Sequence, residues 1–211
     1  MLRSPTDVTP APAATWEEIR HWRRRKREEL IQRRMALSAE TRQALCGRAM
    51  GQLAQAVDLK DYQVLGFCWP MRGEFDVRGL AKRHLAMGGD AAIPVVVERS
   101  APVEFWRWQP GAAMTKGIWD IPIPKERAVV MPDAVLVPLV GFDPCGFRLG
   151  YGGGYFDRTL AAARPRPYAI GLGYEDSVLP TIFPQPHDIP MDLIVTDRGI
   201  HRLASRAHSA L

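Results

Sequence analysis

Residues 134–142 read AVLVPLVGF, nine positions without a polar side chain. A strand with one wet face alternates apolar and polar residues, so an unbroken apolar run this short fits a strand covered on both faces. Sheets covered on both faces are mostly parallel, because the crossover helices lie over them. QVLGFCW (63–69), AAIPVVV (91–97), PYAIGLGY (167–174) and DLIVT (192–196) read as further buried strands. VEFWRW (103–108) alternates at period two and suits a strand with one wet face.

Helical patterns separate these runs. Thr15-Trp-Glu-Glu18 has the form of a capping box, which predicts a helix to about Leu37 with Trp16, Ile19, Trp22, Leu30 and Ile31 on its apolar side. Ser38 predicts the N-cap of a second helix through Leu45, Ala49, Leu53 and Val57. DVRGLAKRHLAM (76–87) reads as a helix that stops at Gly88-Gly89, and RTLAAA after Asp157 as another. The expected fold is a layered α/β domain over residues 15–200, with a disordered segment 1–14 and a tail 201–211.

The charge is uneven. Residues 20–34 carry eight Lys/Arg against two Glu, a surplus of six, while the whole chain nets +5. The rest of the chain therefore nets about −1, and the basicity belongs to one helix. A general nucleic-acid binder would spread it over a surface. Cys46, Cys68 and Cys145 have neither disulfide-framework nor metal-ligand spacing, which points to the cytoplasm. No base stands near Cys145 in the sequence to make it a nucleophile. No apolar run is long enough for a membrane span.

RLGYGGGYFD (148–157) follows the apolar strand and opens a helix. Glycines let the backbone approach a ligand with its N–H groups bare, and a helix N-terminus favours anions. Arg148 adds a cationic fork, and Asp157 suits a magnesium ion held against phosphates. The stretch is neither GxxxxGK[ST] nor GxGxxG, so it fits no common phosphate-loop template. A tight turn with purely steric glycines is the competing reading.

Five segments in order together resemble the 5-formyltetrahydrofolate cyclo-ligase (methenyltetrahydrofolate synthetase) family. They are the basic helix followed by LSAETR, then PMRGEFD, GIWDIPIP, GFD…RLGYGGGYFD and PQPHDIPMDLIVTD. The resemblance runs from about Trp22 to Asp197. It implies a three-layer α/β/α fold with a mostly parallel sheet, of the NagB/RpiA/CoA-transferase type. It implies ATP and Mg²⁺ as cofactors and 5-formyltetrahydrofolate as substrate, with no nucleic acid or membrane partner; a monomer is expected.

By the same resemblance ATP lies against Arg23, Arg27, Arg148, Leu149, Gly150, Tyr151, Gly152, Gly153, Gly154, Tyr155 and Phe156. Lys26 rivals the two helical arginines, because the run RRRKR allows a register slip. Arg148 and Tyr155 are the implied catalytic residues. Glu74, Trp119, Tyr151 and Tyr155 are implied for the folate, and Asp157 and Asp188 for Mg²⁺, with Asp192 the alternative to Asp188. Asp120 stands where the family more often has asparagine, and Phe156 replaces a tyrosine. Tyr151 and Gly153 occupy places where some members carry Arg and Lys. Two further readings stay open: a relative that binds nucleotide or folate without the chemistry, and a basic nucleic-acid-binding protein.

Overall fold

The computed structural model describes residues 15–202. The expectations for residues 1–14 and for most of the 201–211 tail lie outside the described residues. Helix α1 (Trp16–Ala36) starts at the predicted capping box. The Thr15 hydroxyl accepts the Glu18 N–H at 3.3 Å, and the Glu18 carboxylate accepts the Thr15 N–H at 2.7 Å. Ser38 caps α2 (Ala39–Ala56) by accepting the Thr41 N–H at 3.0 Å. Each side-chain oxygen satisfies an N–H that the first helical turn leaves without a partner.

The chain continues through β1 (Val64–Phe67), α3 (Arg78–Ala86), β2 (Asp90–Val95) and β3 (Glu104–Trp108). A small hairpin of β4 (Met114–Lys116) and β5 (Pro122–Pro124) follows, then β6 (Ala134–Pro138). Next come β7 (Gly141–Phe142), β8 (Arg148–Leu149), α4 (Tyr155–Ala162), β9 (Tyr168–Leu172), β10 (Leu193–Val195) and β11 (Ile200–Arg202). The main sheet has seven strands in the order β11-β10-β9-β6-β1-β2-β3. Its five inner strands run parallel, and both edge strands run antiparallel to their neighbours.

Alternate residues of the inner strands face two apolar layers. Leu65, Phe67, Leu136, Ile170 and Val195 join Leu53 of α2 and Leu80 of α3 on one face. Val135, Val137, Ala169 and Ile194 join Leu160 of α4 on the other. Burial on both faces is why these strands lack the polar alternation of a surface sheet. α1 belongs to neither layer. Its Trp22 and Leu30 form a third cluster with Val140, Leu149, Leu179 and Ile182.

Two elements differ from the sequence expectation. Residues 134–142 are not one strand. β6 ends at Pro138, and β7 leaves the sheet to pair antiparallel with β8. A Cβ on Gly141 would lie 2.8 Å from Leu30 Cδ1, so glycine at that position lets α1 sit directly on the hairpin. The sheet also continues through Arg202, because β11 pairs with β10.

The strand order reverses beside β1. The chain passes from β1 to β2 on one side, then returns as β6 on the other. The loops after β1 and β6 therefore leave neighbouring parallel strands at the same edge, diverge, and open a crevice between them. The first carries PMRGEFD; the second carries the β7–β8 hairpin and the glycine stretch.

Ile170, fully buried in β9, tests the weight of the double-sided core. Ile170→Ala is expected to cost about 2–5 kcal/mol, read as a lower urea midpoint with an unchanged slope.

Candidate active site

Helix α1 positions the site from outside the sheet. Arg23, Arg27, Leu30 and Arg34 recur at spacings of four, three and four, which places them on one stripe of the helix. Instead of facing water, their guanidinium groups hold backbone carbonyls of the surrounding loops. Arg23 donates to the carbonyls of Ile182 (2.9 Å) and Phe183 (2.8 Å). Arg27 donates to Gly150 O at 2.6 Å. Arg34 donates to Arg72 O (2.8 Å) and Leu139 O (3.1 Å). Irregular backbone carries polar groups that no sheet or helix ladder satisfies, and these arginines supply the missing donors.

Trp16, expected on the apolar side, is half exposed, whereas Arg23 and Arg34 are buried. Lys26 pairs with Glu29 at 2.6 Å on its own helix. The register of the stripe brings Arg27 to the glycine loop.

The glycine stretch is a bare loop leading into α4. Gly154 is the N-cap in left-handed conformation (φ 64°), with no side chain capping the first turn. Gly152 is also left-handed, at φ 94°. Arg158 reaches back from α4 to Gly153 O at 2.7 Å and lies over the Tyr155 ring. The uncapped N–H groups, the helix dipole and the flanking Arg27 and Arg158 make this a place for an anion. Leu149 is buried in β8 and Phe156 packs into the second apolar layer, so of these two only the backbone faces the loop.

Arg148 is buried under the loop. It donates to Ile189 O at 2.7 Å and pairs with Asp157 at 2.9 Å. Burial lowers the pKa of its guanidinium, and Asp157 opposes that shift. Asp157 accepts the Ile189 N–H on Oδ1, the same oxygen that meets Arg148. Asp188 pairs with Arg23 at 2.6 Å and also accepts the Gln185 N–H. Burial alone would raise its pKa; the Arg23 and Gln185 hydrogen bonds bring it below the usual carboxylate value. Asp192 stands at the start of β10, pairing with Arg166 and accepting the Ala169 N–H. Among the described residues no group of three or more His, Cys, Asp or Glu side chains could hold a metal ion.

Glu74 lies at the crevice end of β1 with its side chain 4% exposed. One oxygen accepts the Met71 N–H at 3.0 Å, and the other accepts the Tyr151 hydroxyl at 2.6 Å. Burial raises its pKa, partly offset by Tyr151, Met71, Arg34 and Arg72. Glu74 shares a small cavity with Cys68, Phe75, Leu136 and Leu172. The Cys68 thiol is pushed well up by burial and by Glu74, which keeps it protonated.

Trp119 approaches the loop from the other side. Its ring meets Tyr155 edge-on, with centroids 5.7 Å apart, yet it is 62% exposed. Trp119 and Asp120 both have left-handed backbone, with φ of 58° and 57°. That conformation is costly for a bulky residue and far cheaper for Asp or Asn, so Asp120 suits its position as asparagine would.

The structure thus joins Glu74 to Tyr151, Arg27 to Gly150, Trp119 to Tyr155 and Arg148 to Asp157 along the glycine stretch and the start of α4. It keeps Arg23 and Asp188 together as a buried pair. Arg34, Arg72 and Arg158 were not singled out in the sequence. The signal for Arg34 was its place on the Arg23–Arg27 stripe. Asp143 was also missed: it is buried and accepts the N–H groups of Cys145, Phe147 and Ile182, which shapes the β7–β8 turn.

Comparisons with known proteins agree with this architecture. The model of the 5-formyltetrahydrofolate cyclo-ligase family matches residues 19–197. The 5-formyltetrahydrofolate cyclo-ligase of Escherichia coli K12 is 27% identical over 172 residues, covering 78% of this chain and 94% of that protein. The Mycolicibacterium smegmatis cyclo-ligase is 31% identical over 125 residues, covering 55% of this chain and 64% of that one. The solved structure of Aquifex aeolicus 5,10-methenyltetrahydrofolate synthetase superposes with a TM-score of 0.74 at 26% identity, covering 89% of this chain and 99% of that one. With the family match spanning most of its length, the chain belongs to the 5-formyltetrahydrofolate cyclo-ligase family of ligases.

Proposed function

We propose that the protein uses ATP and Mg²⁺ to convert 5-formyltetrahydrofolate to 5,10-methenyltetrahydrofolate, releasing ADP and phosphate. The observation that carries this reading is the contact between Tyr151 of the glycine loop and Glu74. It makes an anion-binding loop and a buried carboxylate neighbours in one crevice. A carboxylate accepts paired hydrogen bonds from an aminopyrimidine edge, which makes Glu74 an apt partner for a pterin ring. Trp119, exposed and edge-on to Tyr155, would stack on the substrate in this reading.

The formyl oxygen is a poor leaving group. It attacks the γ-phosphorus, ADP leaves, and the oxygen becomes part of a phosphate ester. The neighbouring ring-linked nitrogen then attacks the formyl carbon, and inorganic phosphate departs. The protein's work is to align the reactants and neutralise charge, so no covalent nucleophile is needed. The uncapped N–H groups of α4, with Arg27 and Arg158, are the groups that would hold phosphate oxygens. Arg148 lies beneath them, and its ion pair fixes Asp157.

The residues fit a magnesium ion held mainly by phosphates. Among the described residues, the Ile189 N–H and the nearest Arg148 nitrogen both meet Asp157 at Oδ1, so Oδ2 would be the oxygen offered to the ion or its water. Asp188 spends its oxygens on Arg23 and the Gln185 N–H, which suits an orienting role beside that place. When bound, Mg²⁺ would offset charge on the transferring phosphoryl group.

Three outcomes are expected. Purified protein with 5-formyltetrahydrofolate and Mg²⁺ should gain the methenyl absorbance only when ATP is added. No gain from folded protein that binds ATP would favour a relative that binds without this chemistry. Asp157→Ala should weaken Mg²⁺-ATP use roughly 10- to 100-fold with folate affinity little changed, and Glu74→Ala the reverse, as expected for hydrogen bonds to charged groups. Equal damage to both ligands in each variant would contradict that division. Finally, folate capture should require ionised Glu74. Its pKa is raised above 4.5, so affinity should begin to fall while the pH is still above that value. The fall should approach tenfold per unit of pH below the raised pKa. Glu74→Gln should remove that acid limb from the binding curve.

A further inference from the structure

Arg34, Tyr151 and Glu74 form a directed chain of hydrogen bonds. Arg34 donates to the Tyr151 oxygen at 2.8 Å, and the Tyr151 hydroxyl donates to Glu74 Oε1 at 2.6 Å. A guanidinium has no acceptor, so its N–H must point at the tyrosine oxygen, which turns the hydroxyl proton toward the carboxylate. Two other nitrogens of Arg34 are held by Arg72 O and Leu139 O, so the guanidinium cannot turn away. Arg72 also lies over the Tyr151 ring, 5.8 Å from its centroid.

The result is a tether. Tyr151 sits on the glycine loop, and its hydroxyl ties that loop to the carboxylate beyond β1. The loop backbone on either side is held by arginines, Gly150 O by Arg27 at 2.6 Å and Gly153 O by Arg158 at 2.7 Å, so the Tyr151 side chain adds a tether of its own between them. The Glu74 side chain is only 4% exposed, so a donor edge that reaches both of its oxygens must move the Tyr151 hydroxyl aside.

We propose that Tyr151 is a coupling residue: substrate binding at Glu74 displaces its hydroxyl, unties this one tether of the glycine loop, and so tightens nucleotide binding. The inference rests on Glu74 being the folate carboxylate. The bond between Tyr151 and Glu74 is broken once, by whichever ligand arrives first, and the second ligand meets a loop already untied from Glu74. Linkage makes the effect reciprocal, so nucleotide also tightens folate by the same factor. One hydrogen bond of this kind corresponds to a coupling of about three- to tenfold.

The test is calorimetric titration of the full chain with the β,γ-imido analogue of ATP and Mg²⁺, with and without saturating 5-formyltetrahydrofolate. No turnover is needed. In the wild type, folate should tighten the analogue by about three- to tenfold. Tyr151→Phe and Tyr151→Met both delete the hydroxyl with different side chains. In each, the analogue alone should bind tighter than to the wild type, and folate should then change its affinity less than about twofold, because the coupling bond is gone. A variant that keeps the wild-type ratio overturns the proposal, as does a wild type that binds both ligands independently. A wild type that binds the analogue but no folate overturns the proposed function together with the coupling.

Discussion

The site depends on arginines that hold backbone carbonyls. The loops after β1, β6 and β10's approach segment are irregular, and irregular backbone near a core needs donors that neither sheet nor helix supplies. One stripe of α1 provides them: Arg23 at Ile182 and Phe183, Arg27 at Gly150, Arg34 at Arg72 and Leu139. A guanidinium suits this work because it carries five donors in a fixed plane, so one side chain joins two segments and still reaches a third partner. Arg23 also reaches Asp188, and Arg34 also reaches Tyr151. A helix outside both apolar layers of the sheet thereby becomes the frame of the crevice.

That frame matters because the crevice lies where the sheet parts. β1 and β6 are parallel neighbours, but their onward loops go to opposite sides. A ligand between them meets Glu74 from one loop and the glycine stretch from the other. Beyond the short β7–β8 hairpin neither loop has regular structure to hold it, and α1 reaches both. The buried pair Arg148–Asp157 fixes the start of α4 from below, and Asp143 fixes the hairpin before it. Each carboxylate is satisfied by backbone N–H groups as well as, or instead of, an arginine. That suits groups which must stay rigid in a partly dry place.

Much of this was legible in the chain itself. The capping box at Thr15 and the cap at Ser38 are local, depending on residues three positions apart, and both occur as expected. The double-sided strands were legible because burial on two faces erases the alternation that solvent imposes. The split of residues 134–142 was not: an apolar run looks the same whether it crosses the sheet or turns out into a hairpin over Leu30. The arginine stripe was misread in part. A run of cations on a helix fits a wet face on local grounds, and the carbonyls that bury Arg23 and Arg34 come from 38 to 160 residues away.

The sequence alone determined the layered α/β class, the helix starts, and the presence of a bare loop before a helix, because each follows from contacts within a few residues or from hydrophobic period. It also pointed to the family, through five segments in order. Only the tertiary structure decided which cation meets which loop, that Tyr151 lies against Glu74, and that Asp188 is engaged by Arg23. Those pairings join residues 77 and 165 positions apart. Their geometry is set by how α1 and the strand ends pack, and the order of residues along the chain does not encode that locally.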